Sequence, residues 1–435
     1  MSSKGTTRSF GSSGDSIVPG SYTLDYVYLY TNKGIQLNIE NLVNNFYINE
    51  SLDTPFLEIN IQIVDGANLL EEHQLNGNEK IKMLIKQSPL SDDLNPIKWE
   101  LNLRVSEVYG YVRNLPSKQF YNLKCTSEHV YLNAAKVLRR SFEGTIGNLI
   151  KKICNDINIV PKLINESSKN VIRGVYPTIK PIQAANWLMR NAFEDGTPFY
   201  FYETVLNGIH FDSYKSFVNK EVYKTFDYKP QIQKSLGVEG GFDEISKRVR
   251  KITGPFNMSQ LSAISQGAYS SSLFTVDIAT KEFKESNYTY QEDNLKLNKN
   301  QPFSTNHKIF DREYNTLKES KNHFVSLNSK AFKQANYHSP LDQTLLKNES
   351  YLKNINFNVL EITIPGDFEL EVGSKINLEI VKATTFEHLG DPSSMKDKFL
   401  SGIYLVSKIS HIFNEEFMQI VEIKRDSLGV DINAK

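Results

Sequence analysis

From Leu57 to Ile63 the chain places an aliphatic residue at every second position, with Glu58, Asn60 and Gln62 between them. A period of two with one wet face is the pattern of a half-buried antiparallel strand, because successive side chains point to opposite faces. The pattern recurs early in the chain. Ile81, Met83 and Ile85 alternate with Lys80, Lys82 and Lys86, and Trp99, Leu101, Leu103 and Val105 alternate with Lys98, Glu100, Asn102 and Arg104. It returns near the end, where Ile376, Leu378 and Ile380 alternate with Lys375, Asn377 and Glu379. A chain patterned this way at both ends is committed to sheet.

The early series starts at Tyr22, Leu24, Tyr26, Tyr28 and Tyr30, continues through a strand at Leu42–Ile48, and closes with Tyr121, Leu123 and Cys125. About six strands with no helix between them predict a small antiparallel barrel or sandwich over 21–126, and closure into a barrel would remove the edges that invite stray pairing. Residues 1–20 are rich in Ser and Gly and are expected to be a flexible arm.

The period changes in 127–218. Ser127 is placed to cap a helix through Leu138. Ile146, Leu149, Ile150 and Ile153 follow Glu143-Gly144-Thr145 at helical spacing, with Lys151, Lys152 and Asn155 on the other face and Pro161 just beyond. Pro181 opens another helix, where its missing N–H costs nothing, with Ala184, Ala185, Leu188, Met189 and Ala192 on one face and Trp187 beside it. Phe199–Glu203 and Ile209–Asp212 form a hairpin across Asn207-Gly208. This α/β stretch reads as a packing domain between two sheet modules.

Strand texture returns at 219–256, with Val222–Phe226 and a segment near Ile245–Ile252. Residues 257–356 are rich in Ser, Asn, Lys and Gln and read as a polar insertion and contact arm, the weak helical run at Arg312–Phe332 being the most regular piece. In 357–435 the phase slips between Val359 and Leu360, predicting a β-bulge. Pro365-Gly366-Asp367 turns the chain, and strands at Ile403–Ile412 and Phe417–Lys424 complete a second barrel before a C-terminal tail. The expected fold class is α+β, mainly β: two small antiparallel β-barrels flanking a helix/hairpin domain, with a polar insertion in the second.

The 435 residues carry 50 Lys+Arg and 50 Asp+Glu, a formal net charge of zero. Affinity for nucleic acid through phosphate wrapping needs a basic stripe, which this balance does not favour. Cys125 and Cys154 lie in apolar-patterned segments without a CxxC and are expected to be reduced, buried thiols. The N-terminus has no apolar core of a signal peptide, and no run approaches the ~18 apolar residues of a membrane span. Synthesis in the cytoplasm and no stable membrane association are the expectations.

Catalytic patterns are hard to find. Gly237-Val238-Glu239-Gly240-Gly241 has the wrong spacing for a nucleotide loop. The eight histidines are scattered, and His411 sits among strand residues as a packed or edge histidine. Glu71-Glu72, Asp92-Asp93 and Glu415-Glu416 fall at turns, whereas a glycosidase acid must sit in a cleft. Tyr22–Tyr30 and Phe199–Tyr202 could be stacking platforms for sugars or bases, although Tyr and Phe are also simply good strand residues. No catalytic, cofactor-binding or metal-binding residue is nominated, no cofactor is expected, and the chain is not expected to be an enzyme.

Several stretches, taken in order, resemble a known family. They are Leu57–Val64 followed by Asp65-Gly66-Ala67-Asn68-Leu69-Leu70 and Gly77-Asn78-Glu79; Gly144-Thr145-Ile146; Pro181-Ile182-Gln183-Ala184-Ala185-Asn186-Trp187-Leu188; Phe199–Glu203 hairpinned to Gly208–Phe211; and Gly402–Val406, Ile409-Ser410-His411 and Arg425-Asp426-Ser427. Together these resemble the baseplate hub subunit of T-even-type contractile-tailed phages, to which the hub part of type VI secretion spike proteins is more distantly related. The resemblance covers about 20–256 and 357–428 and leaves the insertion unmatched. It implies a homotrimer whose six barrels form a pseudo-sixfold ring, adapting a trimeric central spike to a hexameric tail tube. The implied partners are the spike, tube or tube-initiator proteins, the tape measure protein and the baseplate wedges, with DNA only in transient passage through the channel. The implied location is the baseplate of the virion tail, assembled in the host cytoplasm. The alternatives are a carbohydrate-binding or a cell-wall-hydrolysing tail-tip protein.

Overall fold

In the computed structural model, alternation of buried and exposed residues turns directly into strands. The structure describes residues 8–13, 16–88, 96–115, 117–166, 171–228, 242–254, 259–290, 295–297, 308–309, 311–313, 316–327, 341–382 and 396–427. Its first part contains β1 (Arg8–Ser13), β2 (Ser16–Tyr30), β3 (Gln36–Asn38), β4 (Val43–Ser51), β5 (Glu58–Asp65), β6 (Lys80–Gln87), β7 (Lys98–Leu115) and β8 (Lys118–Ser127). Ile59, Ile61, Ile63, Ile81, Met83, Ile85, Trp99, Leu101, Leu103, Val105, Tyr121, Leu123 and Cys125 are all buried in one core, as the alternation requires. A four-residue helix, α1 (Leu69–Glu72), interrupts the strands where none was expected.

In β2 the expected phase does not persist. Tyr22 and Leu24 face the core, but a register shift between Leu24 and Tyr26 hands the inward positions to Val27 and Leu29. Tyr26 and Tyr28 then stack on each other outside, ring centroids 4.7 Å apart.

The middle of the chain forms α2 (Glu128–Ala135), β9 (Ser141–Thr145), α3 (Ile146–Asp156), β10 (Leu163–Ile164), β11 (Val171–Val175), α4 (Pro181–Arg190), β12 (Phe199–Thr204), β13 (Gly208–Ser213) and α5 (Tyr214–Asn219). Ile146, Leu149, Ile150 and Ile153 of α3 pack with Ala184, Ala185 and Leu188 of α4 in a core of their own. Ser127 stands at the N-cap of α2 but makes no capping bond; its hydroxyl bonds to Glu203 instead.

The remainder holds β14 (Val222–Tyr228), α6 (Phe242–Ser246), β15 (Lys251–Thr253), α7 (Gln260–Ser265), β16 (Ser270–Asp277), β17 (Glu282–Thr289), β18 (Lys308–Ile309), β19 (Arg312–Glu313), β20 (Asn322–Leu327), α8 (Leu341–Asn354), β21 (Asn358–Pro365), β22 (Lys375–Ile380), β23 (Gly402–Phe413) and β24 (Phe417–Arg425). Three expectations are corrected here. Ile245 lies in α6, so the strand near it shortens to β15. The helical run at Arg312–Phe332 is instead, among its described residues, β19, a 3-10 turn and β20; β20 pairs in parallel with β16 and β16 with β17. No bulge occurs in β21, which pairs with β24 residue for residue. Val359 and Leu360 are both buried because both faces are covered there. The irregularity lies in β23, between Val406 and Lys408.

The strands expected in two separate barrels belong to one 14-stranded sheet. Its path runs β1-β2-β6-β7-β8-β5-β4-β23-β24-β21-β15, with β3 on β2 and β14-β22 joining at β23. The halves meet where Phe46–Ser51 of β4 pair with Lys408–Phe413 of β23. The β14–β22 pairing is parallel, not antiparallel as expected. Each half also has a kinked segment reaching both of its ends. In the first, β3 bonds to β2 and β4 to β5. In the second, Lys247 and Val249 bond to Asp227 of β14, while Arg250 and β15 bond to β21.

At the PGD turn after β21, a Cβ on Gly366 would stand 2.0 Å from Cδ1 of Phe417. Gly366→Ala is therefore expected to cost about 3 kcal/mol, the upper range of overpacking. A urea midpoint matching the wild type would contradict this packing.

Candidate functional site at the junction of three cores

The β12–β13 hairpin is where three hydrophobic cores formed by the described residues come together. Phe199 and Phe201 project into the α/β core. Tyr200 and Tyr202 project the other way, into the core of the second sheet half. Both faces of β12 are buried, which explains why FYFYET lacks polar alternation. Val205, at the tip, packs on the core of the first sheet half.

Polar contacts at the tip join the hairpin to both sheet halves. The carboxylate of Glu203 accepts from the backbone N–H of Leu57 (3.0 Å) and from the hydroxyl of Ser127 (2.7 and 2.9 Å), both in the first half. The N–H of Val205 donates to Glu50 of β4 at 2.7 Å. Thr204 Oγ1 and Asn207 Nδ2 donate to Glu371 of the second half at 2.8 and 2.9 Å. Burial pushes Glu203 up to about 7 and raises Glu371 as well. It drives His210 down to about 4, so that imidazole is neutral as it stacks on Tyr202.

Beside the tip runs the seam between the sheet halves. His411 is fully buried, its Nδ1 3.0 Å from Gln419 Nε2 and its Nε2 3.3 Å from Glu50. Trp99 of the first half lies edge-on to His411 at 5.0 Å and against Phe368 at 4.6 Å. Phe413 stacks on Phe46 at 4.4 Å and on Phe417 at 4.2 Å. Rings from both halves thus make a single cluster.

The motifs singled out in the sequence serve turns and joints. Asp65 accepts from the N–H groups of Ala67 and Leu69 and from Gln119 Nε2, each at 2.8 Å. Glu79 accepts from the consecutive N–H groups of Asn76, Gly77 and Asn78. The buried guanidinium of Arg425 bonds to the carbonyls of Ser401 and Phe399 and lies over Tyr404. Asp426 receives Tyr214 and the N–H of Leu297, tying the second half to α5 and to the insertion. Buried carboxylates with several donors fix loop geometry firmly, because leaving those groups unpaired is costly.

Cys125 and Cys154 are free and buried, the latter pushed up to about 12 by desolvation. Phe199–Tyr202 are buried and offer no stacking platform. Glu71 and Glu72 are exposed in α1, and Glu416 pairs with Arg250. Asp92-Asp93 and Gly237–Gly241 lie outside the described residues. Among the described residues no three His, Cys, Asp or Glu side chains are grouped to hold a metal, and no helix is long and apolar enough to cross a membrane.

No protein-family profile and no characterised protein matches the sequence. Solved structures do match its shape. A tail protein from Neisseria meningitidis aligns over 93% of this chain and 97% of its own at 9% identity, with a TM-score of 0.51. The 43 kDa tail protein of prophage MuSo2 from Shewanella oneidensis aligns over 92% and 98% at 9% identity, with a TM-score of 0.52. The chain has the fold of a phage tail protein. An Escherichia coli component of the type VI secretion system aligns more loosely, over 90% and 76% at 9% identity, with a TM-score of 0.40. At such identities the tail-protein likeness is one of fold, and functions are not fixed by folds.

Because Phe413 touches rings from both halves, Phe413→Ala is expected to cost about 3–5 kcal/mol by cavity formation. A loss below about 1 kcal/mol in denaturant unfolding would mean the seam is not packed as described.

Proposed function

We propose that this chain is the structural hub subunit of a contractile phage tail baseplate, working as a homotrimer and without catalysis. The observation that supports the reading is the pair of six-strand groups in one chain. One comprises β2, β6, β7, β8, β5 and the β3–β4 segment; the other comprises β14, β22, β23, β24, β21 and β15 with its flanking residues. Each is read as a small barrel closed by its kinked segment. Three copies would then present six similar barrels, a pseudo-sixfold ring that adapts a trimeric central spike to a hexameric tail tube. The tail-protein fold supports the setting.

In this reading the domains are 21–126, 127–218 and 219–256 with 357–435, and 257–356 is an insertion into the last of these. The partners are the spike, the tube or its initiator, the tape measure protein and the wedges, with DNA passing through the channel. The protein resides in the virion tail after assembly in the host cytoplasm. Its work is geometric: rigid bodies fix the spacing and angle of the surfaces they present, and a closed ring meets one patch with a different one.

Tyr109, Tyr111 and Val112 on the outer reach of β7 are 40, 53 and 44% exposed, an apolar group suited to an obligate interface. Light scattering after size exclusion is expected to give three times the chain mass of 49.7 kDa. Tyr111→Glu is expected to return the single-chain mass. A wild-type protein that stays monomeric at high concentration contradicts the trimer, and an unchanged trimer in the variant contradicts the interface.

A further inference from the structure

Three carboxylates converge on the hairpin tip from three directions: Glu203 on the hairpin, Glu50 on β4 and Glu371 in the turn between β21 and β22. The field of Glu50 acts on both of the others. Glu50 is buried, and its Oε2 has no partner among the described residues. Among the described residues, the other charged and titratable groups facing the cluster are Tyr202 on β12, Asp212 and His210 on β13, Lys220 after α5, Lys162 before β10, and His411 on β23. Lys220 interacts with Asp212 and Glu371, and burial lowers its own proton affinity. Among the described residues no cation acts on Glu203: its carboxylate meets one backbone N–H, one hydroxyl and the field of Glu50.

We propose that the tip of the β12–β13 hairpin is a proton-operated latch: with a proton on Glu203 it clamps the α/β unit to both sheet halves, and loss of that proton to solvent loosens it. A neutral Glu203 can donate through Oε1 to Ser127 Oγ while Oε2 still accepts from Leu57. An ionised Glu203 keeps those two contacts but adds a negative charge beside the buried Glu50 at a half-buried position. Opening the hairpin hydrates that charge.

The sign follows from linkage. Burial raises Glu203 to about 7 in the closed state, and solvation returns it to the ordinary carboxylate range when the hairpin opens. The closed state therefore binds the proton more tightly. Latch stability is greatest in acid, falls as pH rises towards 7, and levels off above it. His210 is held neutral across this range and does not supply the effect.

Hydrogen exchange on the full-length protein tests the latch through the amides of Leu57 and Val205, which donate to Glu203 and Glu50. After correction for intrinsic exchange, their protection is expected to fall on the order of tenfold between about pH 6 and about pH 8. Glu203→Gln, which keeps the shape and cannot ionise, is expected to abolish that slope. Ser127→Ala, which removes a donor favouring the carboxylate, is expected to move the midpoint upward, and it keeps the proposal testable if the Gln variant folds poorly. Protection independent of pH in the wild type, a slope that survives Glu203→Gln, or a midpoint unmoved by Ser127→Ala would each overturn the latch.

Discussion

Burial of β12 on both faces is the constraint on which the rest of the structure depends. A strand that buries only one face can leave its core without disturbing another. Phe199 and Phe201 are committed to the α/β core while Tyr200 and Tyr202 are committed to the second sheet half, so β12 cannot move without opening both. Its tip adds the third body through Glu203, Val205 and Glu50. Each aromatic ring buried this way stabilises by about 2–3 kcal/mol of hydrophobic transfer. The polar tip contributes position more than energy, since a net hydrogen bond is worth only about 1 kcal/mol while an unmade one costs more.

The seam between β4 and β23 works by the same logic. Backbone pairing there merges the two halves into one sheet, and the ring cluster around Phe413 gives that pairing a dry interior. A rigid relation between the halves is what the proposed ring requires, because an error in their angle would be repeated around it.

Much of this was legible in the sequence where a single local period decides the outcome. The inward residues of β5, β6, β7 and β8 follow from alternation alone, and the buried faces of α3 and α4 from helical spacing. Local reading failed where two faces are both covered or a partner is distant. The phase slip at Val359–Leu360 looked like a bulge because strand periodicity cannot register a covered second face. Tyrosine is tolerated on either face of a strand, which hid the register shift in β2. The run 312–332 looked weakly helical because its strand β20 is specified by β16, about fifty residues earlier. The junction was the least legible part. Glu50 and Val205 are separated by 155 positions, and Thr204 and Glu371 by 167, so nothing local marks those carboxylates as neighbours. The only advance signal was a strand, FYFYET, with too few polar residues for a half-buried role.

The two tryptophans give the most direct test of the central claim that the hairpin couples the cores into one body. Trp99 lies in the core of the first sheet half, and Trp187 lies on α4 against Phe142. Urea unfolding can be followed through Trp99 alone in Trp187→Phe and through circular dichroism in the same sample. Coincident midpoints, and a shared shift of both when the junction is cut by Tyr202→Ala, are the predicted result. A first transition seen by circular dichroism while Trp99 stays native would contradict the coupling and leave the hairpin as a surface contact between independent domains.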